Sequence, residues 1–402
     1  MMIYRRFFEL LQVAVGGCHA LSEPLSEDEW REMMECAQKQ AMIGVCFAGV
    51  ERLPAEQRPP REMILQWFTL TRKIEEKNEK MNVRSVEACR FFEDKGFNVC
   101  VLKGQGNALL YPWPLRRQSG DIDIWCVAPK ASSELKADLV KVNLDKSRRE
   151  VLKWARKRYP KEEFDLKHIH FPILKDIAME VHFVPSLLGS PLAHHRLTEY
   201  YEKAAQEQMA HCVKLEGVGD KLGMLNCPTV EFNLIFQLTH IFNHFLSEGV
   251  GLRQVMDYFF LLRAAREEWN ASPSTNLSDK AGESLQQEKK RSVICTIQQI
   301  GLYGFLEALM WVMHEVLGLK EEEMIAPMDE KRGRVLLDEI LAGGNFGHYE
   351  SRYWYQGMSR WKFYTARMRR MAHFLRYYPR EVLWDIPFRL RQRVWMCSMR
   401  NL

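Results

Sequence analysis

The sequence predicts an α+β protein in which a small mixed β-sheet is preceded and followed by helices. Apolar residues recur at helical spacing over most of residues 1–95 and again after residue 228. Short β-branched and apolar runs lie between residues 96 and 184, where they predict the strands. With 402 residues, of which 47% are hydrophobic and 27% charged, the chain can bury more than one core.

These patterns divide the chain into three predicted parts. Residues 1–95 form an N-terminal helical region, which includes an exposed amphipathic helix over Glu62 to Phe92. Residues 96–227 form the core that carries the sheet, and residues 228–402 form a C-terminal helical domain with a basic tail. Within that last part, the polar stretch 271–290 predicts a mobile loop.

The composition is that of an ordinary protein of the cytoplasm. No run reaches the 18 or so apolar residues that a membrane span needs, so we expect no transmembrane segment. The ten cysteines are scattered, mostly among apolar neighbours and without any C-x-x-C pair, which favours reduced, buried thiols over disulfides or a cysteine zinc site.

Positive charge is concentrated at the C-terminal end. The formal net charge is +5, yet residues 351–402 hold 12 Lys/Arg and two acidic residues, a balance of +10. Aromatic residues alternate with arginines from Tyr353 to Trp395, a pattern that suits binding of RNA or of an anionic membrane. The interpretation we favour is a helix pair that packs on the body and turns its arginines outward.

The most informative stretch runs from Val101 to Val127. It predicts a strand that ends in a Lys103-Gly104 turn, a helix through Leu110, a proline-rich loop, and a second strand that begins at Asp121. Because side chains alternate along a strand, Asp121 and Asp123 share one face. Two carboxylates beside a glycine turn suggest a site for a divalent metal and a phosphate.

A second acidic strand follows. The sequence predicts strands over His168 to Leu174 and Ile177 to Val184, joined by a tight turn, and it places Glu180 and His182 on one face. A two-residue turn would set Glu180 opposite Phe171. A three-residue turn sets it opposite His170 and sets His168 opposite His182; we favour this register because it gathers the polar side chains.

These residues suit nucleotidyl transfer, which needs a carboxylate-bound divalent metal and a holder for the triphosphate. Asp121, Asp123 and Glu180 supply carboxylates for Mg²⁺, or for Mn²⁺ in its place. The Lys103 ammonium and the backbone at Gly104 could cradle phosphates, since glycine has no Cβ to obstruct them.

The same residues carry a resemblance to a known family. A glycine turn, a helix, a D-x-D strand and a later strand with one acidic residue resemble the DNA polymerase β-like nucleotidyltransferase superfamily. More narrowly, LKG-x-x-x-x-LLYP, then R-x-x-x-DID, then EVH is similar to the uncharacterised nucleotidyltransferases that bacteria encode. The likeness is densest over residues 100–184 and continues weakly into LTHIFNHF and GLRQVMDYFFLL. Lys-Gly stands here where better-known members have Gly-Ser.

The resemblance implies roles for individual residues. Asp121 and Asp123 would bind the catalytic metals, and Glu180 would share a metal or help to deprotonate the acceptor hydroxyl. The residues implied in nucleotide binding are Lys103, Gly104, Arg117 and Ser119. The residues expected beside the site, as acceptor contacts or as support for the metal ligands, are His170, His182, Arg253 and Asp257. Arg253 and Asp257 also suit an intrahelical ion pair, and His240 and His244 are interpreted as structural.

The function predicted on these grounds is metal-dependent transfer of a nucleoside monophosphate from an NTP to an acceptor hydroxyl. The acceptor is a protein, an RNA or a small molecule, and pyrophosphate leaves. One alternative is a non-catalytic protein that keeps this fold and binds nucleic acid, through its basic tail, or a protein partner. Another is a metal-dependent phosphohydrolase, which needs the same carboxylates.

Overall fold

The structure is a computed structural model that describes residues 2–129, 141–215, 223–270, 279–349 and 359–399. Helices come first: α1 (Met2–Ala14), α2 (Glu27–Lys39), α3 (Ile43–Arg52) and α4 (Arg61–Glu93). The central part holds β1 (Asn98–Val101), α5 (Gln105–Ala108), β2 (Ile122–Val127), α6 (Leu144–Arg158), β3 (His168–His170), β4 (Met179–His182), α7 (Pro191–Ala210), β5 (Cys212–Lys214) and β6 (Met224–Asn226). The last part holds α8 (Val230–Leu246), α9 (Leu252–Asn270), α10 (Asp279–Gln299), α11 (Tyr303–Leu317), α12 (Glu330–Gly343), α13 (Arg360–Leu375) and α14 (Pro379–Met399).

The main sheet has four strands in the order β1-β2-β4-β3. β1 pairs antiparallel with β2, β2 pairs parallel with β4, and β4 pairs antiparallel with β3. The parallel pair is joined by a crossover that includes α6, as parallel strands require. The α+β class with a small mixed sheet and a helical C-terminal region is therefore confirmed.

The two faces of β2 enter different cores. Ile122, Ile124 and Cys126 are buried with residues of α4 and α6. On the other face, Trp125 and Val127 belong to the larger core that α8, α9 and α11 share. The face that carries Asp121 and Asp123 therefore looks toward the C-terminal helices, and period-two alternation fixes this direction.

The N-terminal and C-terminal helices contribute to the same core. Phe7, Leu10 and Leu11 of α1 lie in one cluster with Val312, Val316 and Leu317 of α11. A polar contact reinforces this packing, since the Gln12 side chain donates a hydrogen bond of 3.2 Å to the Glu315 carbonyl. The sheet is thus held between helices from both parts of the chain.

The loop before β2 is fixed by neighbours from several elements. The Asn78 amide donates 2.6 Å hydrogen bonds to the Leu115 and Arg117 carbonyls, and Lys77 Nζ donates to the Ser119 carbonyl at 3.0 Å. A Cβ on Gly44 would stand 2.3 Å from the Arg116 carbonyl oxygen, so only glycine lets α3 approach this loop so closely. Because the loop leads directly into Asp121, these contacts position the aspartate.

Several predicted boundaries were wrong. The stretch 279–290 begins helix α10 rather than forming a loop, and residues 271–278 lie outside the described ranges. Strands β3 and β4 are shorter than predicted, and Pro172, which cannot donate to a ladder, lies just beyond the end of β3. An eight-residue connection joins the two strands in place of the predicted tight turn. The β5–β6 hairpin was missed, since Cys212–Lys214 is short and half exposed and shows no alternation of apolar residues.

Two further expectations concern membranes and cysteines. Among the described residues, no individual helix has the length and apolar character to cross a membrane; one helix pair, 287–299 with 303–317, meets that test only together and is bent by 116°. The ten cysteines are all unpaired. Not all of them are buried as expected, because three are exposed: Cys212, Cys295 and Cys397.

Candidate active site

Three carboxylates converge at the junction of β2 and β4. The parallel pairing sets Asp123 directly beside Glu180, and Asp121 lies on the same face at the start of β2. Oxygen atoms of Asp121, Asp123 and Glu180 all lie within 4.8 Å of one another. Asp123 is 1% exposed, whereas Asp121 and Glu180 are partly open to solvent. The set has one buried member and two that a ligand can reach.

A lysine places a positive charge beside the carboxylates. Lys103 Nζ lies 3.1 Å from Asp123 Oδ2. Burial alone would lower the pKa of Lys103, but the neighbouring charges of Asp123, Asp121 and Glu180 outweigh it and raise the pKa. The ammonium therefore stays charged at the floor of the site, where its single charge faces three carboxylates.

Crowding of negative charge affects the two aspartates differently. The charge of Asp123, together with burial, raises the pKa of Asp121. Burial also opposes ionisation of Asp123, but Lys103 and a hydrogen bond with His182 outweigh it and hold the pKa of Asp123 well below its usual range. Repulsion between adjacent carboxylates is the condition that a bound divalent cation relieves.

Histidines border the carboxylates on the side of β3. The β3–β4 register pairs His170 with Glu180 and His168 with His182, so the favoured register is confirmed, although eight residues and not a three-residue turn join the strands. His182 Nε2 lies 2.8 Å from Asp123 Oδ1 and 3.3 Å from Glu180 Oε2. Although burial would lower the pKa of His182, these two carboxylates raise it. His182 is therefore in direct contact with the carboxylate set, while His170 is exposed.

Arg117 points to a different partner. Its Nε and Nη2 each donate a hydrogen bond of 2.7 Å to the carboxylate of Asp257 on α9, and both side chains are at most 5% exposed. The Tyr111 hydroxyl donates a third hydrogen bond of 2.7 Å to the same carboxylate. The Asp257 charge is thus met by Arg117, and the pair joins the loop before β2 to α9.

The remaining predicted residues lie around this pair. Arg253 Nη1 donates a 2.7 Å hydrogen bond to the Gln118 carbonyl. The Ser119 hydroxyl donates to Gln105 Oε1 at 3.0 Å. Gly104 has a φ of +76°, a conformation that L-residues with a side chain rarely adopt. The helix that follows it, α5, is a single turn of four residues, so few peptide dipoles add up at its start.

Two cavities lie at this part of the sheet, and only the smaller is lined by carboxylates of the set. It is a narrow cleft of about 20 Å³, lined by residues that include Lys103, Gly104, Asp121, Asp123 and Arg253. A cavity of about 710 Å³ opens on the outer side of β3, and its lining residues include His168 and His170. The inner cleft has room for roughly one water, whereas the outer cavity is large enough for a small-molecule ligand.

Sequence reasoning missed three residues that shape the site. Gln105 and Asn82 hydrogen-bond to each other and support Ser119, and Tyr111 supports Asp257. Gln105 and Tyr111 belong to the LKG-x-x-x-x-LLYP motif, which was the available signal. Asn82 lies on α4, where its burial on a charged helix gave no signal in the sequence.

Comparison with known proteins identifies the family. The model of the family described as "Uncharacterised nucleotidyltransferase" matches residues 26–276, which is more than half of the chain and includes every site residue named above. No curated protein and no solved structure gives a significant match. With the carboxylates of β2 and β4 inside the matched range, the chain belongs to this family of nucleotidyltransferases.

Proposed function

We propose that this protein transfers a nucleoside monophosphate from an NTP to an acceptor hydroxyl in a reaction that depends on a divalent metal. The observation that carries the proposal is the convergence of Asp121, Asp123 and Glu180 within 4.8 Å on adjacent parallel strands. Membership of a nucleotidyltransferase family supports the same reaction class.

The donor set fits Mg²⁺ or Mn²⁺. Both ions favour carboxylate oxygens and commonly complete their shells with water and substrate phosphates. One lysine ammonium faces three carboxylates, and the raised pKa of Asp121, caused by the charge of Asp123 and by burial, shows that these charges are not balanced. When bound, the metal would neutralise charge on the transferred phosphoryl group and lower the barrier to attack.

The chain's own residues account for the rest of the reaction. The acceptor oxygen forms a bond to the α-phosphorus, and the bond from that phosphorus to the bridging oxygen of pyrophosphate breaks. The hydroxyl proton passes to Asp121 or Glu180, which solvent reaches, rather than to the buried Asp123. Lys103 holds Asp123 ionised and offers its charge to the departing phosphates.

The two cavities suggest where the substrates lie. The inner cleft of about 20 Å³ cannot hold a triphosphate, so the nucleotide must enter over the open side of Asp121 and Glu180. The cavity of about 710 Å³ is lined by His168 and His170, whose strand pairs with the strand of Glu180, and we assign it to the acceptor. Arg117 and Ser119 then act by holding the loop before Asp121 rather than by contacting phosphate, since both are buried.

The test is incubation with each α-labelled NTP, Mg²⁺ or Mn²⁺ and a cell extract. We expect label to enter an acceptor and pyrophosphate to be released, with both falling at least about a hundredfold in Asp121→Asn and Asp123→Asn. Asp145→Asn, a change of the same chemistry at an exposed site on α6, should leave labelling unchanged. Equal labelling in the site variants would refute the assignment.

The other two functions give different results in the same experiment. A phosphohydrolase would release inorganic phosphate without labelling any acceptor. A non-catalytic binding protein would release neither product with any of the four nucleotides. The complete carboxylate set favours catalysis over the second of these, because a binding protein has no need to keep three adjacent buried or half-buried acids.

A further inference from the structure

Two imidazoles and a carboxylate form a second cluster beside the three carboxylates. His168 and His182 are paired across β3 and β4, and their rings stack with centroids 5.3 Å apart. Glu180 lies between them, with Oε1 3.4 Å from His168 Nε2 and Oε2 3.3 Å from His182 Nε2. One ligand atom from each residue lies within 4.8 Å of the others.

An acidic side chain lies behind the His168 imidazole. His168 Nδ1 faces Asp165 Oδ1 at 3.5 Å, so its Nε2 is the nitrogen directed at the cluster. A carboxylate on this side of an imidazole is the usual arrangement at a metal-binding histidine. His182 directs its Nε2 at the carboxylates, since that atom lies 2.8 Å from Asp123 Oδ1 and 3.3 Å from Glu180 Oε2.

We propose that His168, His182 and Glu180 form a binding site for a transition-metal ion of the zinc class. Two imidazole nitrogens and one carboxylate oxygen are a ligand set that binds Zn²⁺ with a fourth position left to water, and that Mg²⁺ disfavours. The site shares Glu180 with the carboxylate set of the proposed function, but its metal binding is measurable without any nucleotide. This site thus offers imidazole nitrogens as ligands, whereas the neighbouring set of three carboxylates offers only oxygens.

The test is titration of the purified full-length protein with Co²⁺, followed by visible absorption, which is strong in four-coordinate sites with nitrogen ligands. We expect one equivalent to bind, and binding to weaken at least tenfold in His168→Gln. His195→Gln, the same change at an exposed histidine of α7, should bind as the wild type does. X-ray absorption of the Zn²⁺-loaded wild type should count two imidazole ligands, a result that does not depend on any variant folding.

Asp121→Asn separates this proposal from the proposed function. That variant should lose nucleotide transfer and keep the Co²⁺ absorption, whereas His168→Gln should lose the absorption. An unchanged Co²⁺ spectrum in His168→Gln, or a Zn²⁺ shell with only oxygen ligands, would overturn the nitrogen site. Neither result would depend on whether transfer is observed.

A second inference rests on the C-terminal helix pair α13 and α14. A groove of about 450 Å³ runs between them, and its lining is mainly apolar. Several of its large apolar side chains are exposed by 40% or more: Met368, Leu375, Leu383, Ile386 and Leu390. Trp361 nearby is 77% exposed and Val394 is 70% exposed. An apolar surface of this kind is a docking face rather than ordinary protein surface.

The same pair is strongly basic. Residues 351–402 carry a balance of +10 in the sequence. Arg367, Arg389 and Arg393 line the groove, where Asp385 pairs with the first two and Arg393 is exposed. Arg369 and Arg376 are further exposed arginines of α13 and the turn after it. That charge disfavours self-association through this face, because two copies would repel each other. The positive charge favours binding to an anionic surface. The aliphatic groove favours a partner that also has an apolar interior.

We infer that α13 and α14 dock on an anionic lipid surface. Leucine, isoleucine, methionine and tryptophan would enter the interface between headgroups and acyl chains while the arginines bind the headgroups. A nucleic acid satisfies the arginines but leaves the aliphatic groove uncovered. Since no described helix alone can cross a membrane, the pair would lie on the surface.

The test is flotation of the full-length protein with vesicles of phosphatidylcholine alone or mixed with phosphatidylglycerol. We expect binding only to the anionic vesicles, loss of binding at high salt, and a drop of at least tenfold in Leu383→Ser/Leu390→Ser. Leu65→Ser, a matched control at a leucine 54% exposed on α4, should bind normally. Equal binding to neutral vesicles, an RNA complex indifferent to the leucine changes, or a dimer that those changes dissolve would each overturn the inference.

Discussion

Arg117 and Asp257, which are 140 residues apart, form a buried ion pair through two hydrogen bonds of 2.7 Å each. Arg117 belongs to the loop that leads into Asp121, and Asp257 belongs to α9. The charge of Arg117 outweighs the burial of Asp257 and lowers its pKa. The pair therefore fixes the position of the first metal-ligand candidate relative to the C-terminal helices.

Breaking this pair should destabilise the protein strongly. Asp257→Asn leaves the Arg117 charge buried without its counter-ion, which costs about 3–5 kcal/mol of the free energy of unfolding. Denaturant unfolding followed by circular dichroism measures the loss. Glu27→Gln, which breaks an exposed pair with Arg31, should cost about 1 kcal/mol or less. A loss in Asp257→Asn no larger than in this control would contradict the assigned role.

Removing the lysine at the floor of the site should strengthen metal binding while it weakens catalysis. Lys103→Met takes away the ammonium 3.1 Å from Asp123, so a divalent cation no longer competes with it. We expect Mn²⁺ affinity, measured by calorimetry, to rise about tenfold, which corresponds to ~1.4 kcal/mol. Nucleotide transfer should fall in the same variant. Lys141→Met, which removes an exposed partner of Glu202, is the control, and weaker Mn²⁺ binding in Lys103→Met would refute the competition.

Glycine is required at position 104 but not at position 343. Gly104→Ala places a Cβ on a residue with φ of +76° and should cost about 1–3 kcal/mol of stability while it displaces Lys103. A Cβ at Gly343 in α12 would meet no atom within 4 Å, so Gly343→Ala should be neutral or stabilise by up to about 1 kcal/mol. Thermal unfolding of both variants, together with transfer activity, tests this contrast. Equal effects of the two substitutions would argue against a strained turn.

Stability should fall as pH drops from about 6.5 to 4, in part through His194. Burial, together with the charges of Arg391 and Arg148, lowers the pKa of His194 to about 4. Between about pH 4 and the usual pKa near 6.5, the unfolded chain binds a proton that the folded chain excludes. Proton binding therefore stabilises the unfolded state in this pH range, and the free energy of unfolding falls as the pH drops. His194→Gln should remove up to roughly 3 kcal/mol of this pH dependence.

The neighbouring residue provides the control for that measurement. His195→Gln alters an exposed side chain and should leave the pH dependence of unfolding as it is in the wild type. Denaturant unfolding at several pH values between 4 and 7 compares the three proteins. The same slope in His194→Gln as in the wild type would show that His194 does not exclude the proton.

Local patterns were sufficient to predict part of the site. Alternation along β2 predicted that Asp121 and Asp123 share a face, and the polar matching of His170 with Glu180 predicted the β3–β4 register. Each of these conclusions depends on neighbours within a strand or a hairpin. The parallel pairing that sets Asp123 beside Glu180 was not predicted, because no pattern within either strand specifies a parallel partner.

Long-range contacts could not be predicted either, because local patterns specify only neighbours within one element or hairpin. The spacing of Arg253 and Asp257 on one helix suggested an ion pair within α9, whereas Asp257 is met by Arg117 from a loop 140 residues earlier. Helix α10 begins in a polar stretch, and where its side chains are described, over 287–299, Val293 and Ile297 are the buried ones. Low local hydrophobicity therefore predicted a loop where packing near the far end sustains a helix.

The shared core of α1 and α11 has a consequence for synthesis on the ribosome. Phe7, Leu10 and Leu11 reach their partners on α11 only after residues 303–317 have emerged, which takes about 15 to 60 s at typical rates of translation. During that interval the first helix can pack on α3, where Leu10 lies against Gly49, but it lacks the cover that α11 supplies. The nascent chain is thus a natural client for chaperones that shield hydrophobic segments, and its carboxylate site cannot be completed before α9 has joined it.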